Sequence, residues 1–193
     1  QDPETTKNLL AFASNPSKEL RARVAALYAI SQRGIRSQES LQVIASITPL
    51  AADAALQPYV LRALGDMGID SLTQGETGPA PTTSFIVGLN SRDPRTRLEA
   101  MVAAARQKNI ETASTISAHL GHEDPVIAHT AFRALALLNA SDACLSILDS
   151  DASSESQRKG AAHALMRMKG PNLVDQLIER LNEDASNNSR QVI

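Results

Sequence analysis

Residues 124–138 read DPVIAHTAFRALALL, and this stretch contains the pattern that decides the fold. Its Ala134-Leu135 pair has four counterparts, each at the same point of an apolar helical pattern. The counterparts are Ala26-Leu27, Ala63-Leu64, Ala103-Ala104 and Ala164-Leu165. Measured between second members, the spacings are 37, 40, 31 and 30 residues. Spacings of this size are typical of stacked supersecondary units, so we expect an all-α, right-handed solenoid of five to six helix pairs.

Each Ala-Leu-like pair is predicted to lie in the second helix of its repeat, the B helix. If the second member of the pair is position 0, positions −3, 0 and +3 lie close to one helix face. Position −1 is Ala in all five repeats, which allows neighbouring helix backbones to approach closely. The predicted core face is apolar except at Gln107 and consists of Val24, Leu27, Ile30; Leu61, Leu64, Met67; Met101, Ala104, Gln107; Phe132, Leu135, Leu138; Ala162, Leu165, Met168.

The chain is predicted to alternate short A helices with B helices, separated by turn signals. A helices are expected at 5–14, 38–47, 84–90, 111–120 and 142–148. B helices are expected at 18–31, 55–67 and 155–168, and two further B helices are expected to begin at Asp93-Pro94 and at Asp124-Pro125. Gly34 and Gly68 are expected to end the first two pairs. Residues 70–83 are rich in Gly and Pro and predict an irregular loop. An A helix of a sixth pair is expected at 172–181, so residues 1–193 are interpreted as a single repeat domain from a longer array.

Composition excludes several classes of function. Hydrophobic residues make up 42% of the 193 residues, which is incompatible with wholesale disorder. Aromatic residues make up 3% and the net charge is −2, so neither a base-stacking platform nor a global basic field is present, and no nucleic-acid partner is expected. No apolar stretch approaches the roughly 18 residues of a membrane span. The lone Cys144 excludes an internal disulfide and a Cys-based zinc site.

The B-helix motif resembles a known repeat. The pattern is Asp-Pro, then Ala or Arg after two further residues, then Ala and an Ala-Leu-like pair. It resembles the bacterial HEAT-like repeat of the type also found in phycobilisome-lyase proteins, which implies an ARM-type α-α superhelix. The matching residues are Asp93-Pro94, Arg97, Ala100, Ala103-Ala104; Asp124-Pro125, Ala128, Ala131, Ala134-Leu135; and, without Asp-Pro, Glu155, Arg158, Ala161, Ala164-Leu165.

A second resemblance covers residues 121–129, 142–144, 165–168 and 172–181. These segments are similar to the helical part of large secreted bacterial c-type cytochrome proteins, which join a sugar-dehydrogenase-like β-propeller, HEAT repeats and a haem-binding domain. The chain has no Cys-x-x-Cys-His motif, so it cannot attach a c-type haem itself, and no cofactor is expected. The resemblance implies a spacer between redox domains in a secreted or periplasmic protein. Without it, a cytoplasmic location is the expectation.

Candidate chemistry is sparse. His119, His122, Glu123 and Asp124 are the one cluster of metal-ligating residue types, but Gly121 predicts a helix end within it. A helix C-terminus followed by an Asp124 N-cap is the alternative interpretation, and no metal is expected. Cys144 lies on an apolar helix face, where cysteine is usually an inert small hydrophobe. We therefore expect a protein that is not an enzyme, with a lyase-type enzyme or enzyme subunit acting on a bound chromophore as the alternative.

The strongest functional pattern is a basic stripe opposite the core face, at B-helix positions −6, −2 and +2. On a HEAT-type fold the B helices line the concave side, so this stripe would suit an acidic protein partner. The alternative is a solvated face whose arginines pair with Glu99, Asp66 or their neighbours. The two interpretations predict a scaffold that binds a protein partner, or one that spaces the domains of a larger protein. The basic members of the stripe are Arg21, Arg62, Arg106, His129, Arg133, Lys159, His163 and Arg167.

Overall fold

The computed structural model describes residues 3–36, 40–73, 82–169 and 173–182. Over these ranges the protein is all-α, with eleven α-helices, two 3-10 helices and no strand. The all-α part of the predicted fold is therefore confirmed. The 3-10 helices cover Thr48–Ala52 and Ile110–Thr112. The α-helices are α1 Pro3–Ser14, α2 Leu20–Arg36, α3 Ser40–Ile47, α4 Gln57–Thr73, α5 Thr82–Leu89, α6 Pro94–Arg106, α7 Ala113–Ser117, α8 Pro125–Leu138, α9 Ser141–Asp149, α10 Glu155–Leu165 and α11 Leu173–Asn182.

Side-chain caps fix where three of the B helices begin. The Asp93 carboxylate accepts hydrogen bonds from the Thr96 N–H at 3.0 Å and the Thr96 hydroxyl at 2.6 Å, and these bonds lower the pKa of Asp93. Asp124 accepts from the Val126 N–H at 2.8 Å. Where the Asp-Pro motif is missing, Ser154 caps α10 through a capping box with Gln157. Each cap satisfies N–H groups that have no partner within the helix.

Positions −1 and 0 are buried on every B helix, whereas four members of the predicted core face, Val24, Gln107, Phe132 and Ala162, are only half-buried. Leu27, Leu64 and Leu135 are fully buried, and the Ala at position −1 is at most 6% exposed in all five repeats. Fully burying one such leucine is worth about 1.5–3 kcal/mol, so this face accounts for much of the packing energy. Gln107, the one polar member, donates a hydrogen bond from its Nε2 to the Leu64 carbonyl at 2.7 Å. The one polar residue of the predicted core face, Gln107, therefore forms a hydrogen bond to the neighbouring B helix.

Four details of the predicted elements differ from the structure. α2 continues past Gly34 to Arg36, so this glycine does not end the helix. A Cβ at Gly34 would lie 3.0 Å from Val43, which shows that the glycine permits close packing there. α4 continues through Gly68 to Thr73. The predicted loop at 70–83 is helical at both ends, and its positions 74–81 lie outside the described residues. The fourth A helix, expected at 111–120, is a 3-10 turn followed by the short α7.

The chain divides into two compact units, residues 1–107 and residues 108–193, which we call the first and second units. In the first unit α2 packs against α1, α3 and α4, and α4 packs against α6. In the second unit α8 packs against α7 and α10, and α10 packs against α9. B helices are therefore neighbours within each unit, as the repeat pattern predicts.

A buried arginine joins three segments of the first unit. Arg23, on α2, is 4% exposed. Its Nε donates to the Ala13 carbonyl at 2.8 Å, and its guanidinium pairs with the Asp53 carboxylate. The hydrogen bond from Arg23 lowers the pKa of Asp53. Arg23 therefore links α1, α2 and the turn after the first 3-10 helix.

None of the described helices combines the length and the apolar character that crossing a bilayer requires. The A helix expected at 172–181 is α11, and two of its apolar side chains, Val174 and Ile178, are 62% and 50% exposed. One face of α11 is therefore uncovered among the described residues.

Candidate functional site

The eight basic residues of the predicted stripe fall in both units, on the side of the B helices away from the core. Arg21, Arg62 and Arg106 lie in the first unit, and the other five lie in the second. Arg106 is half-buried. The exposed members are Arg21, Arg62, His129, Arg133, Lys159, His163 and Arg167.

In the first unit the stripe is neutralised by carboxylates. Arg62, on α4, lies 4.0 Å from Asp66 on the same helix and 3.7 Å from Glu99 on α6. Arg106, at the end of α6, pairs with the other oxygen of Asp66. Two arginines and two carboxylates thus form one network across α4 and α6. Arg21, on the first turn of α2, is exposed and does not belong to this network.

Parts of this network are buried, and a further arginine of α6 contacts an aromatic ring. Burial raises the pKa of Glu99, and the Arg62 guanidinium opposes that rise. Burial also raises the pKa of the Tyr28 hydroxyl. The Arg95 guanidinium lies 4.4 Å from the centre of the Tyr59 ring and donates to its hydroxyl at 3.1 Å. Arg62 and Arg106 therefore already have carboxylate partners, as the solvated-face interpretation predicts, whereas Arg21 lies outside the network.

In the second unit the stripe is organised around an aromatic ring. The Phe132 ring, on α8, makes edge contacts with His129 and with His163 of α10, at centroid distances of 4.7 Å and 5.9 Å. The Arg167 guanidinium lies 5.4 Å from the centre of the same ring. Lys159 differs from the others, because its ammonium lies 2.6 Å from Glu155 and lowers the pKa of that carboxyl. The structure therefore brings His129, His163 and Arg167 together.

A groove of about 630 Å³ lies beside this ring, at the C-terminal ends of α8 and α10. Three cations line it, Arg133, Arg167 and Lys169, and none has a carboxylate partner among the residues that the structure describes. Two large apolar side chains also line it, Leu137 and Met166, which are 63% and 80% exposed. We call this feature the α8–α10 groove; its lining residues are Arg133, Ala136, Leu137, Asn139, Met166, Arg167, Met168 and Lys169.

Two repeat positions account for the difference between the units. In the first unit, position +2 of α4 is Asp66 and position −5 of α6 is Glu99, and both bind arginine. The equivalent positions of α8 and α10 are Leu137 and Gly160. A Cβ at Gly160 would lie 3.1 Å from three atoms of Leu120, so close packing occupies the space that a glutamate would need. The second unit therefore has arginines at the equivalent positions, but it lacks the two carboxylates that pair with them in the first unit.

Sequence reasoning missed two residues of the groove, Met166 and Lys169. The B helix is predicted to reach Met168, but α10 ends at Leu165. Met166 lies at position +1, which the pattern assigns neither to the core face nor to the stripe, and Lys169 lies past the predicted end of the helix. Lys169 is held by its backbone N–H, which donates to the Asn139 side chain at 3.3 Å. Asn139 is the left-handed C-cap of α8, with φ of 51°. An Asn after a long apolar helix is a signal for such a cap.

The other candidate sites have structural roles. The His122 Nδ1 accepts a hydrogen bond from the Asp124 N–H at 2.9 Å, and Asp124 caps α8. Among the described residues no group of three or more His, Cys, Asp and Glu side chains could hold a metal ion. Cys144 is fully buried, and burial raises the pKa of its thiol to about 12. Because the thiolate is the nucleophile, Cys144 is unreactive in the folded protein.

Comparison with known proteins gives a likeness of fold. No family model matches the chain, and no curated protein matches it. Among solved structures, the crystal structure of an engineered protein, Northeast Structural Genomics Consortium target OR329, is similar over 99% of this chain and 94% of its own, with a TM-score of 0.58 and 16% identity. At this identity the likeness concerns the fold alone.

Proposed function

We propose that this chain is a non-catalytic, HEAT-like helical-repeat module that binds a protein partner through its second unit. The observation that carries the proposal is the α8–α10 groove, where Arg133, Arg167 and Lys169 have no carboxylate partner among the described residues. The equivalent arginines of the first unit, Arg62 and Arg106, are paired. Unpaired cations beside exposed apolar groups are typical of an interaction surface.

Several features support the HEAT-like solenoid within this proposal. The repeat spacing of 30–40 residues, the buried Ala at position −1 and the packing of neighbouring B helices are what that fold requires. The Asp-Pro caps of α6 and α8 match the motif on which the resemblance rests. The closed network of the first unit fits a spacing role for that part of the chain, and the open groove fits a binding role for the second.

The site chemistry favours binding over the lyase alternative. The sole thiol is buried with a raised pKa, so Cys144 cannot serve as a nucleophile near neutral pH. Glu99, a carboxyl whose pKa is raised by burial, lies 3.7 Å from Arg62 within a closed network. Neither group lines the α8–α10 groove.

The proposal is tested by capture with matched variants. The full chain is immobilised as wild type, as Arg133→Glu with Arg167→Glu, and as Arg21→Glu with Lys159→Glu. The two double variants carry the same charge change, and the second changes cations outside the groove. Captured proteins are identified by mass spectrometry, purified and titrated against each form.

We expect a partner that binds the wild type and the control variant but not the groove variant, with the same helical circular dichroism in all three. Equal loss with both double variants would mean that net charge alone holds the partner. Equal retention by all three would mean that the groove is not the binding site, and would leave the spacer interpretation in its place.

A further inference from the structure

We infer that the α8–α10 groove takes an acidic peptide segment of another protein, one that carries a large apolar side chain beside its carboxylates. The inference rests on the proposed function and specifies the chemistry of the partner. It depends on three properties of the groove: its charge, its exposed apolar side chains and its fixed geometry.

The charge of the groove requires carboxylates from outside the second unit's described residues. Arg133 projects from α8, and Arg167 and Lys169 follow the end of α10. Glu155, the acidic residue that pairs with the stripe in this unit, already lies 2.6 Å from Lys159. The chain as a whole has a net charge of −2, so this concentration of cations is local. Arginine binds carboxylates with two parallel hydrogen bonds, which suits an acidic peptide.

The apolar side chains argue against a simple anion site. Leu137 and Met166 are 63% and 80% exposed, and they line the same groove as the three cations. Met168, almost fully buried, and Ala136 complete the apolar lining. An inorganic anion or a phosphodiester backbone would leave these groups in water, whereas an aliphatic or aromatic peptide side chain would cover them. Methionine adapts its shape to such partners.

The groove is held in place by the fold. Arg167 rests over the Phe132 ring, which restricts its guanidinium. The Lys169 N–H is bonded to Asn139, which fixes the segment after α10 against the end of α8. These contacts hold the backbone around the groove, whereas its exposed side chains become ordered when a partner binds. The groove volume of about 630 Å³ lies within the range of ligand-binding clefts, so it has room for several side chains of a peptide.

The test uses three fluorescein-labelled peptides and the full chain, measured by fluorescence polarisation. The first peptide carries Glu and Asp around two Leu residues, the second has both Leu replaced by Ser, and the third has every acid replaced by its amide. We expect the first to bind with an affinity that falls with salt, and the other two to bind about tenfold more weakly or worse. A single-stranded oligonucleotide of equal charge is the fourth probe. If the Ser peptide or the oligonucleotide binds as tightly as the Leu peptide, the inference is wrong.

Matched variants locate the apolar contact. Leu137→Ser with Met166→Ser should weaken the Leu peptide about tenfold and leave the Ser peptide unchanged. The control pair, Val126→Ser with Ile110→Ser, removes two apolar side chains of the second unit that are 56% and 54% exposed but lie outside the groove lining. It should change neither affinity; an equal effect of both pairs would overturn the inference.

The two proposals fail in different ways. If a captured partner depends on Arg133 and Arg167 but no acidic peptide binds, the peptide chemistry is wrong and the protein-binding module stands. If no captured protein depends on these arginines and no peptide binds, both proposals are wrong.

Discussion

The first and second units place the same arginines on the same helix register, but they surround them differently. Arg62 and Arg106 of the first unit meet Asp66, and the equivalent Arg133 and Arg167 of the second unit share a groove with Leu137. Two repeat positions, held by Asp66 and Glu99 in the first unit, differ in the second, and of these the position of Asp66 is held by an apolar residue that lines the groove. A basic stripe predicted from sequence is therefore neutralised in one unit and left without carboxylate partners in the other, and the proposed binding role rests on that difference.

The largest expected effect concerns the thiol of the second unit. Burial raises the pKa of Cys144 to about 12, so the thiolate is scarce near neutral pH and appears only as pH rises toward that value. We expect labelling by a thiol reagent at neutral pH to be about three orders of magnitude slower in the folded chain than in urea. Because Cys144 is the one cysteine of the sequence, the rate reports opening of the second unit. Equally fast labelling in both conditions would contradict its burial.

The next largest effect concerns the buried arginine of the first unit. Replacing Arg23 with Ala leaves the Ala13 carbonyl and the Asp53 carboxylate without their partner. We expect a loss of about 2–3 kcal/mol in the free energy of unfolding, measured with urea. Arg21→Ala, an exposed position on the same helix, is the control and should change stability by less than about 0.5 kcal/mol. A similar small change for Arg23→Ala would mean that the buried pair does not hold the first unit together.

Substitutions of the Ala at position −1 test a packing contact that both units share. Ala134 is 3% exposed, so Ala134→Leu overpacks the second unit and should cost about 1–3 kcal/mol in urea denaturation. Ala103→Leu should do the same in the first unit, where the Ala103 Cα would lie 2.8 Å from a Cβ at Gly65. A change within about 0.5 kcal/mol at either site would show that the helix phase is wrong there.

A smaller effect concerns the stability of the first unit at low pH. Hydrogen bonds lower the pKa values of Asp53 and Asp93, both in the first unit, relative to the unfolded chain. Their contribution to stability is present above the unfolded pKa and is lost as pH falls through the folded value. We therefore expect the urea midpoint to fall as the pH drops below about 4. The fall should be smaller in Arg23→Ala; an identical fall would mean that Asp53 does not sense Arg23.

Much of the fold could be predicted from the sequence, because its signals are local. The Ala at position −1, the apolar face and the Asp caps act within one helix, and they place α6, α8 and the core correctly. The ends of α2 and α4 were not predicted correctly, because the sequence pattern assigns each helix end to a glycine. Gly34 instead allows close packing against Val43, and α4 continues through Gly68.

The candidate site was predictable only in part. Helical periodicity put Arg133, His163 and Arg167 on one face, and pairing of the arginines with Asp66 and Glu99 is the alternative interpretation. Periodicity could not tell that this pairing would hold in the first unit, because pairing across helices depends on their relative register, which no local pattern encodes. Met166 lies inside the predicted B helix, but at a position assigned neither to the core face nor to the stripe.

The most direct test of the account exchanges the deciding position between the units. Leu137→Asp should give Arg133 and Arg167 the carboxylate that Asp66 supplies in the first unit. We expect it to reduce binding of the Leu-containing acidic peptide at least about tenfold, with unfolding free energy unchanged or slightly raised. Leu137→Asn, similar in size and uncharged, is the control and should reduce binding less. If Leu137→Asp binds the peptide as tightly as the wild type, the open cations of the second unit are not the binding site.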